Sequence, residues 1–192
     1  MNKEELKRLL QLVHDRQVSV EKAQQALEDL PFTELGFATI DNHRELRVGY
    51  PEVIYCEGKT VEQVREIVAF MLAREVTILA TRANEAMYRA VAELTEEAVY
   101  NPLGRTITIR RQDTGQTDSY IAIVAAGTSD LPVVEEAAET ALALGNRVEK
   151  ITDVGVAGIH RLFAKMEIIR GAKVIIVVAG MEGALASVIG GM

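Results

Sequence analysis

Cysteine occurs once in this sequence, at Cys56, and histidine three times. A single cysteine excludes an internal disulfide framework and any CxxC metal pair, and it suits a reducing, cytoplasmic setting. So few histidines and cysteines leave a structural zinc site unexpected. Long apolar runs are missing too. Runs such as Val174–Ala179 fall far short of the roughly 20 residues that a membrane span needs. The opening M-N-K-E-E-L-K-R-L-L is charged and helical, unlike a secretory leader. Positive charge is not in excess: the net charge of −7 argues against nucleic acid or an anionic membrane as the main partner. An anionic small molecule stays open, provided basic residues gather locally. Several short catalytic signatures are absent, among them a Walker lysine loop, G-x-G-x-x-G, a G-x-S-x-G elbow and H-E-x-x-H.

What is present is ordinary for a soluble globular chain. The 192 residues, 48% hydrophobic and 26% charged, fit one large domain or two small ones. Leu6, Leu9, Leu10 and Val13 mark one face of a helix over Glu4–Val13. A second helix is expected from Val20 to Leu30, capped by Ser19 and followed by Pro31. Leu35–Ile40 reads as a strand, Asp41–Pro51 as an irregular charged segment, and Val53–Cys56 as a short strand. Thr60-Val61-Glu62-Gln63 is a capping box that opens a helix to about Arg74. A strand at Thr77–Ala80, a helix at Ala83–Leu94, a turn at Asn101–Gly104 and an edge strand at Thr106–Arg110 complete the first half. Arg111–Ser119 is polar throughout and is the one clear composition break, so we place a boundary there between residues 1–118 and 119–192.

The second half alternates strand and helix. Strands are expected at Tyr120–Ala126, Arg147–Ile151 and Val174–Ala179, and helices at Val133–Leu144 and Ile159–Arg170. Strands apolar on both faces belong to a parallel sheet covered on both sides. The expected class is therefore α/β: a helical and small α/β first domain, then an incomplete doubly wound, three-layer α/β/α domain. Val174–Ala179 is as apolar as an interior strand, and the chain ends soon after it, so the second domain reads as cut short.

Ligands in open α/β sheets bind outside the carboxyl ends of the strands. Three glycine-bearing loops follow these strands and should converge. The first is Gly127-Thr128-Ser129-Asp130, where Gly127 allows a tight turn and close approach to a ligand, and Ser129 or Asp130 can cap the next helix. The second holds Asp153, Gly155, Gly158 and His160; the third is Gly180-Met181-Glu182-Gly183. Glu182 lies between glycines after a fully apolar strand. It reads either as a pocket carboxylate that keeps its proton for acid–base work or as a solvated or capping side chain. Asp153 reads as a ribose or metal ligand or as a turn residue, and His160 as a phosphate contact or a solvent-facing side chain. In the first half, Asp41 and His43 would share one side of an extended segment and could hold a metal. Arg44 and Arg47 could bind phosphate, and Lys59 could meet an anion at a helix start; each is equally readable as a solvated charge. Cys56 reads as a buried small side chain rather than a nucleophile.

Two families share features with this chain. From Ser119 onward it resembles aminoimidazole-ribonucleotide carboxylases, in G-T-S-D-L-P after a strand, R-L-F in the next helix, and R-G-A-K-V-I-I-V-V-A-G. It lacks their serine-alanine-histidine-arginine and histidine-leucine-proline stretches. D-V-G-V-A-G-I-H-R-L and A-G-M-E-G-A-L-A-S-V-I-G-G are instead similar to the LarB-type family of nickel-pincer nucleotide cofactor biosynthesis. So are D-N-H-R-E-L-R-V-G-Y-P-E-V-I-Y-C-E-G-K-T and A-T-R-A in the first half. The resemblance runs from about Phe32 to Met192.

It implies a carboxylase and hydrolase acting on nicotinic acid adenine dinucleotide. Carbon dioxide or bicarbonate is the co-substrate, and AMP and a pyridinium biscarboxylate mononucleotide are the products. It further implies Glu182 as the base that removes the ring proton, Mg2+ or another divalent cation near the phosphoanhydride, and a homo-oligomer, a dimer or larger and as large as an octamer. The family's nucleophilic cysteine lies beyond the third-strand loop, past Met192, and Cys56 is not at its position. A purine-pathway carboxylase or mutase and a non-catalytic nucleotide-binding module are the alternatives.

Overall fold

The protein is described here from a computed structural model covering residues 3–28, 32–74, 76–109 and 117–192. The chain opens with helices α1 (Lys3–His14) and α2 (Val20–Glu28), which pack on each other. No residue of α1 is buried, and Ser19 accepts the Lys22 N–H at the start of α2 at 3.3 Å. The expected end of α2 at Leu30 and Pro31 lies outside the described residues.

Leu35–Ile40 is not one strand. Gly36, at φ 83°, turns the chain between β1 (Thr33–Glu34) and β2 (Thr39–Ile40), which pair antiparallel. Nor is Asp41–Pro51 irregular: it holds a short helix, α3 (Arg44–Val48), which Gly49 ends in the left-handed conformation at φ 86°. Asp41 starts this helix by accepting the His43 N–H at 3.1 Å. Such local side-chain to backbone bonds are what short polar residues favour at helix starts.

The first main sheet has the order β3-β4-β6-β5, built from β3 (Val53–Tyr55), β4 (Ile78–Thr81), β5 (Val99–Asn101) and β6 (Thr106–Ile109). β3 and β4 run parallel and are joined by α4 (Val61–Leu72); β6 is antiparallel to both its neighbours. The capping box at the start of α4 is present in both halves: Thr60 Oγ1 accepts the Gln63 N–H at 3.2 Å, and Gln63 Oε1 accepts the Thr60 N–H at 3.0 Å. α5 (Glu85–Ala92) starts where Asn84 Oδ1 accepts the Met87 N–H at 2.9 Å. Val64, Val68, Met87 and Val91 from these helices pack on Ile78, Ala80, Ile107 and Ile109.

β6 was expected at an edge and is interior. Its alternation of Thr and Ile does not mark a solvated face, because both faces are covered and all four residues are buried. The edge belongs to β5, whose V-Y-N stretch is too short to show a period.

Residues 110–116 of the polar break lie outside the described residues. Beyond it, β7 (Tyr120–Ala125), α6 (Leu131–Ala143), β8 (Arg147–Ile151), α7 (Ile159–Phe163), α8 (Met166–Gly171), β9 (Val174–Val178) and α9 (Ala184–Gly190) form a parallel sheet of order β8-β7-β9. Leu162, Ile169 and Leu185 cover one face, and Val134 and Ala138 of α6 cover the other, which makes three layers. Ile159–Arg170 is two helices rather than one, broken where Lys165 leaves helical geometry at φ −110° and ψ 6°. β9 is an edge strand, with Val174 50% and Ile175 38% exposed, so its apolar composition did not report its position.

α6 explains why β4 and β6 are buried on both faces. It packs on β7 and β8 and also on β4 and β6, so one helix serves both sheets. Its inward residues are small, including Ala138, Ala141 and Ala143, which brings two sheets close to one helix axis. At Gly104 an added Cβ would stand 3.0 Å from the backbone of Glu135 and Glu136, so only glycine lets the β5–β6 turn lie this close to α6. Among the described residues, no helix is long and apolar enough to cross a membrane.

Candidate functional site

Past the end of β7, the backbone of Ala126 is bonded on both sides. Its N–H donates to the Val178 carbonyl at 3.0 Å, and its carbonyl accepts the Gly155 N–H at 2.9 Å. These bonds carry the sheet ladder beyond the strands and hold the three following loops side by side. Together they wall a cleft of about 410 Å3 at the carboxyl ends of β7, β8 and β9. That size falls within the range of small-molecule sites.

Gly127, Ser129 and Asp130 form one wall, Gly155 a second, and Gly180 and Glu182 a third. The Asp130 carboxylate reaches back to accept the Gly127 N–H at 2.8 Å through Oδ2, while Oδ1 faces Gly180. Asp130 therefore ties down its own turn instead of capping α6, at whose start it makes no side-chain cap bond. Gly127 is extended, at φ −148° and ψ 177°, and only the Asp130 carboxylate comes within 4 Å of where a Cβ would stand. The tight turn expected here is made, closed by the Asp130 N–H to the Gly127 carbonyl at 3.2 Å, but the extended backbone of Gly127 does not itself require glycine.

Five other second-half candidates stand beside the cleft but do not line it: Thr128, Asp153, Gly158, His160 and Gly183. Asp153, left-handed at φ 59°, pairs with Arg161 Nη1 at 2.5 Å. Gly158 is buried under that guanidinium, 2.7 Å from Arg161 Nε to a built Cβ. His160 is exposed on α7, and Gly183 precedes α9 at φ 66°. Glu182 is exposed at the rim, not on the floor as a buried acid. Met181 and Gly183 both adopt positive φ in a turn closed by Gly183 N–H to Gly180 O at 3.0 Å, leaving Met181 fully exposed. Left-handed methionine is uncommon, and nothing in the composition marked Met181.

Of the first-half candidates, Asp41 and Lys59 line other cavities. Because α3 is helical, Arg47 comes back over Asp41 and binds both its oxygens, at 3.3 and 2.6 Å. That guanidinium holds the Asp41 carboxyl below the ordinary range. His43 Nδ1 lies 3.5 Å from Arg47 Nη1, and Arg44 is exposed. Asp41 and His43 thus face a cation already in place, which does not fit a metal pair. Among the described residues, no group of three or more His, Cys, Asp or Glu is placed to hold a metal ion. Lys59 borders a cavity of about 240 Å3 between β2, β3 and α4. Cys56 is fully buried, and burial pushes its thiol up to about 11.

A parallel sheet closed by helices on both faces, with a cleft walled by three loops at its carboxyl end, defines an α/β protein with a candidate small-molecule site. Comparison with known proteins narrows this. Residues 32–112 match the LarB/PurE-like N-terminal domain. An uncharacterized protein of Methanocaldococcus jannaschii is 36% identical over 168 residues, which are 80% of this chain and 63% of that protein. The chain thus spans less than two thirds of that relative's length. These matches show a LarB/PurE-like N-terminal domain over residues 32–112 and a likeness to that relative along most of the chain.

Proposed function

We propose that the protein carrying this chain carboxylates the pyridinium ring of nicotinic acid adenine dinucleotide with carbon dioxide and splits the phosphoanhydride with water, releasing AMP. The observation that carries this reading is the cleft at the ends of β7, β8 and β9, in a chain whose residues 32–112 match a LarB/PurE-like domain. Thr128 and Ser129 lead into α6, where backbone N–H groups and the helix dipole favour phosphate. Glu182, free in solvent at the rim, reaches a ring entering the open side and takes the proton that leaves as the new carboxylate forms.

Asp130 supplies a hard oxygen donor on this cleft, the kind Mg2+ uses together with substrate phosphates and water. Bound there, the cation would offset phosphoanhydride charge. The thiolate that the LarB-type resemblance requires is not Cys56, which is buried and lines none of these loops. The reading further includes a homo-oligomer working in the cytoplasm.

The domain match carries both family names, so a purine-type carboxylase or mutase is the second reading. Calorimetric titration with magnesium, against nicotinic acid adenine dinucleotide and separately against aminoimidazole ribonucleotide, tells them apart. We expect tighter binding of the dinucleotide, then incorporation of labelled bicarbonate into the pyridinium product by the full-length protein. Glu182→Gln should abolish incorporation and spare binding. Preference for the imidazole nucleotide overturns the first reading; binding without incorporation in the full-length protein leaves a nucleotide-binding module.

A further inference from the structure

Helix α6 starts at the wall of the cleft and is gripped, one turn later, by the first-half sheet. Arg82 Nε donates to both oxygens of Glu136, at 2.8 and 2.9 Å. Glu135 accepts from Asn101 Nδ2 at 3.0 Å and from Lys150 Nζ at 2.6 Å, which links β5 to β8 through one carboxylate. Arg82 sits in the left-handed region at φ 55°, an uncommon conformation for a long side chain that the surroundings must hold in place. Arg105 holds it: its Nη2 donates to the Arg82 carbonyl at 3.1 Å, and its carbonyl accepts the Ala83 N–H at 2.8 Å. Gly104 closes the same contact against the Glu135 and Glu136 backbone.

Four residues separate Asp130, on the cleft, from Glu135, and Val134 among them is fully buried. A packed helix moves as a unit, so a shift of α6 at Glu136 displaces the Gly127–Asp130 turn.

We propose that Arg82 and Asn101 are positioning residues for the cleft. Through Glu136 and Glu135 they fix α6, and the order of the β4–α5 loop is thereby coupled to the order of the cleft wall. By linkage the coupling runs both ways: a ligand that orders the wall protects the loop around Arg82. This second arm rests on the reading of the cleft as a nucleotide site.

Hydrogen exchange by mass spectrometry on the full chain tests the coupling. Arg82→Ala and Glu136→Ala should each speed exchange of the backbone over 126–131 on the order of tenfold, with β7 unchanged. The double variant should be no faster than either single. Glu136→Gln, which keeps an acceptor for Arg82 Nε, should restore most of the protection. Arg89→Ala, which breaks the exposed Arg89–Glu85 pair on α5, should do nothing. Unchanged exchange over 126–131 overturns the proposal. Equal loosening of β7 also overturns it, because that outcome shows general destabilisation.

Nicotinic acid adenine dinucleotide with magnesium, added to the unsubstituted chain, should protect residues around Arg82. If the dinucleotide binds and that segment is not protected, the coupling fails. If it does not bind, the functional reading fails, and the exchange comparison among the variants still decides the coupling.

Discussion

Replacing Gly155 by alanine tests whether close backbone packing shapes the cleft. A Cβ built there stands 2.9 Å from the Ala126 carbonyl oxygen, whereas ordinary contact begins near 3.4 Å, so the wall must move by about half an ångström. Gly155 itself, at φ −59° and ψ 155°, has a backbone that alanine adopts without strain, so the whole effect is steric. The obstructing atom is backbone. Ala126 is bonded to Gly155 on one side and Val178 on the other, so no side-chain rotation relieves the clash. Overpacking of this kind costs about 1–3 kcal/mol. For a chain of this size that lowers the Tm by roughly 2–12 °C. The controls are Gly127→Ala and Gly180→Ala, where the nearest atoms are the Asp130 carboxylate oxygens at 4.0 and 3.9 Å. Alanine there narrows the unfolded ensemble and is neutral or stabilising by up to about 1 kcal/mol. Urea unfolding followed by far-UV circular dichroism reads all three. A Gly155→Ala midpoint equal to the parent's, or a loss in Gly180→Ala as large as in Gly155→Ala, refutes the reasoning.

Two further outcomes follow from burial. Cys56, with its thiol pushed up to about 11 and no exposed surface, should resist a thiol reagent at pH 8 in the native chain and react fully in urea; fast native labelling would refute its placement. Glu45 has its carboxyl raised, chiefly by burial and then by Glu5. Because the folded-state value lies above the unfolded one, the folded chain binds more protons, and stability falls as pH rises through that window. Glu45→Gln should therefore be more stable than the parent at pH 7, with the gain vanishing near pH 4, where the unfolded carboxyl (about 4.3) is largely protonated. A pH-independent difference between the two unfolding midpoints would count against this.

Local patterns were readable wherever a neighbour along the chain sets the geometry. The Thr60–Gln63 box and the alternation of β7, α6 and β8 follow from patterns within a few residues. The three glycine-bearing loops could be placed together because parallel strands put their carboxyl ends on one side. Position within a sheet was not readable. T-I-T-I of β6 alternates as an edge strand would, yet α6 covers its second face; V-I-I-V-V of β9 looks interior, yet it lies at an edge. The charged segment at Asp41 misled for a similar reason. Its i, i+2 sidedness assumed an extended chain, and the helix brought Arg47 onto Asp41 instead.

The sequence by itself determined the α/β class, the order of most elements and the loops that carry glycine and acid, because propensity, capping and periodicity act over a few residues. Tertiary structure alone decided that α6 serves two sheets, that Asp130 is spent on Gly127 while Glu182 stands in solvent, and that Arg82 holds Glu136. Those outcomes depend on which surfaces meet across 54 residues of chain, as in the Arg82–Glu136 pair, and no local pattern encodes a contact at that separation.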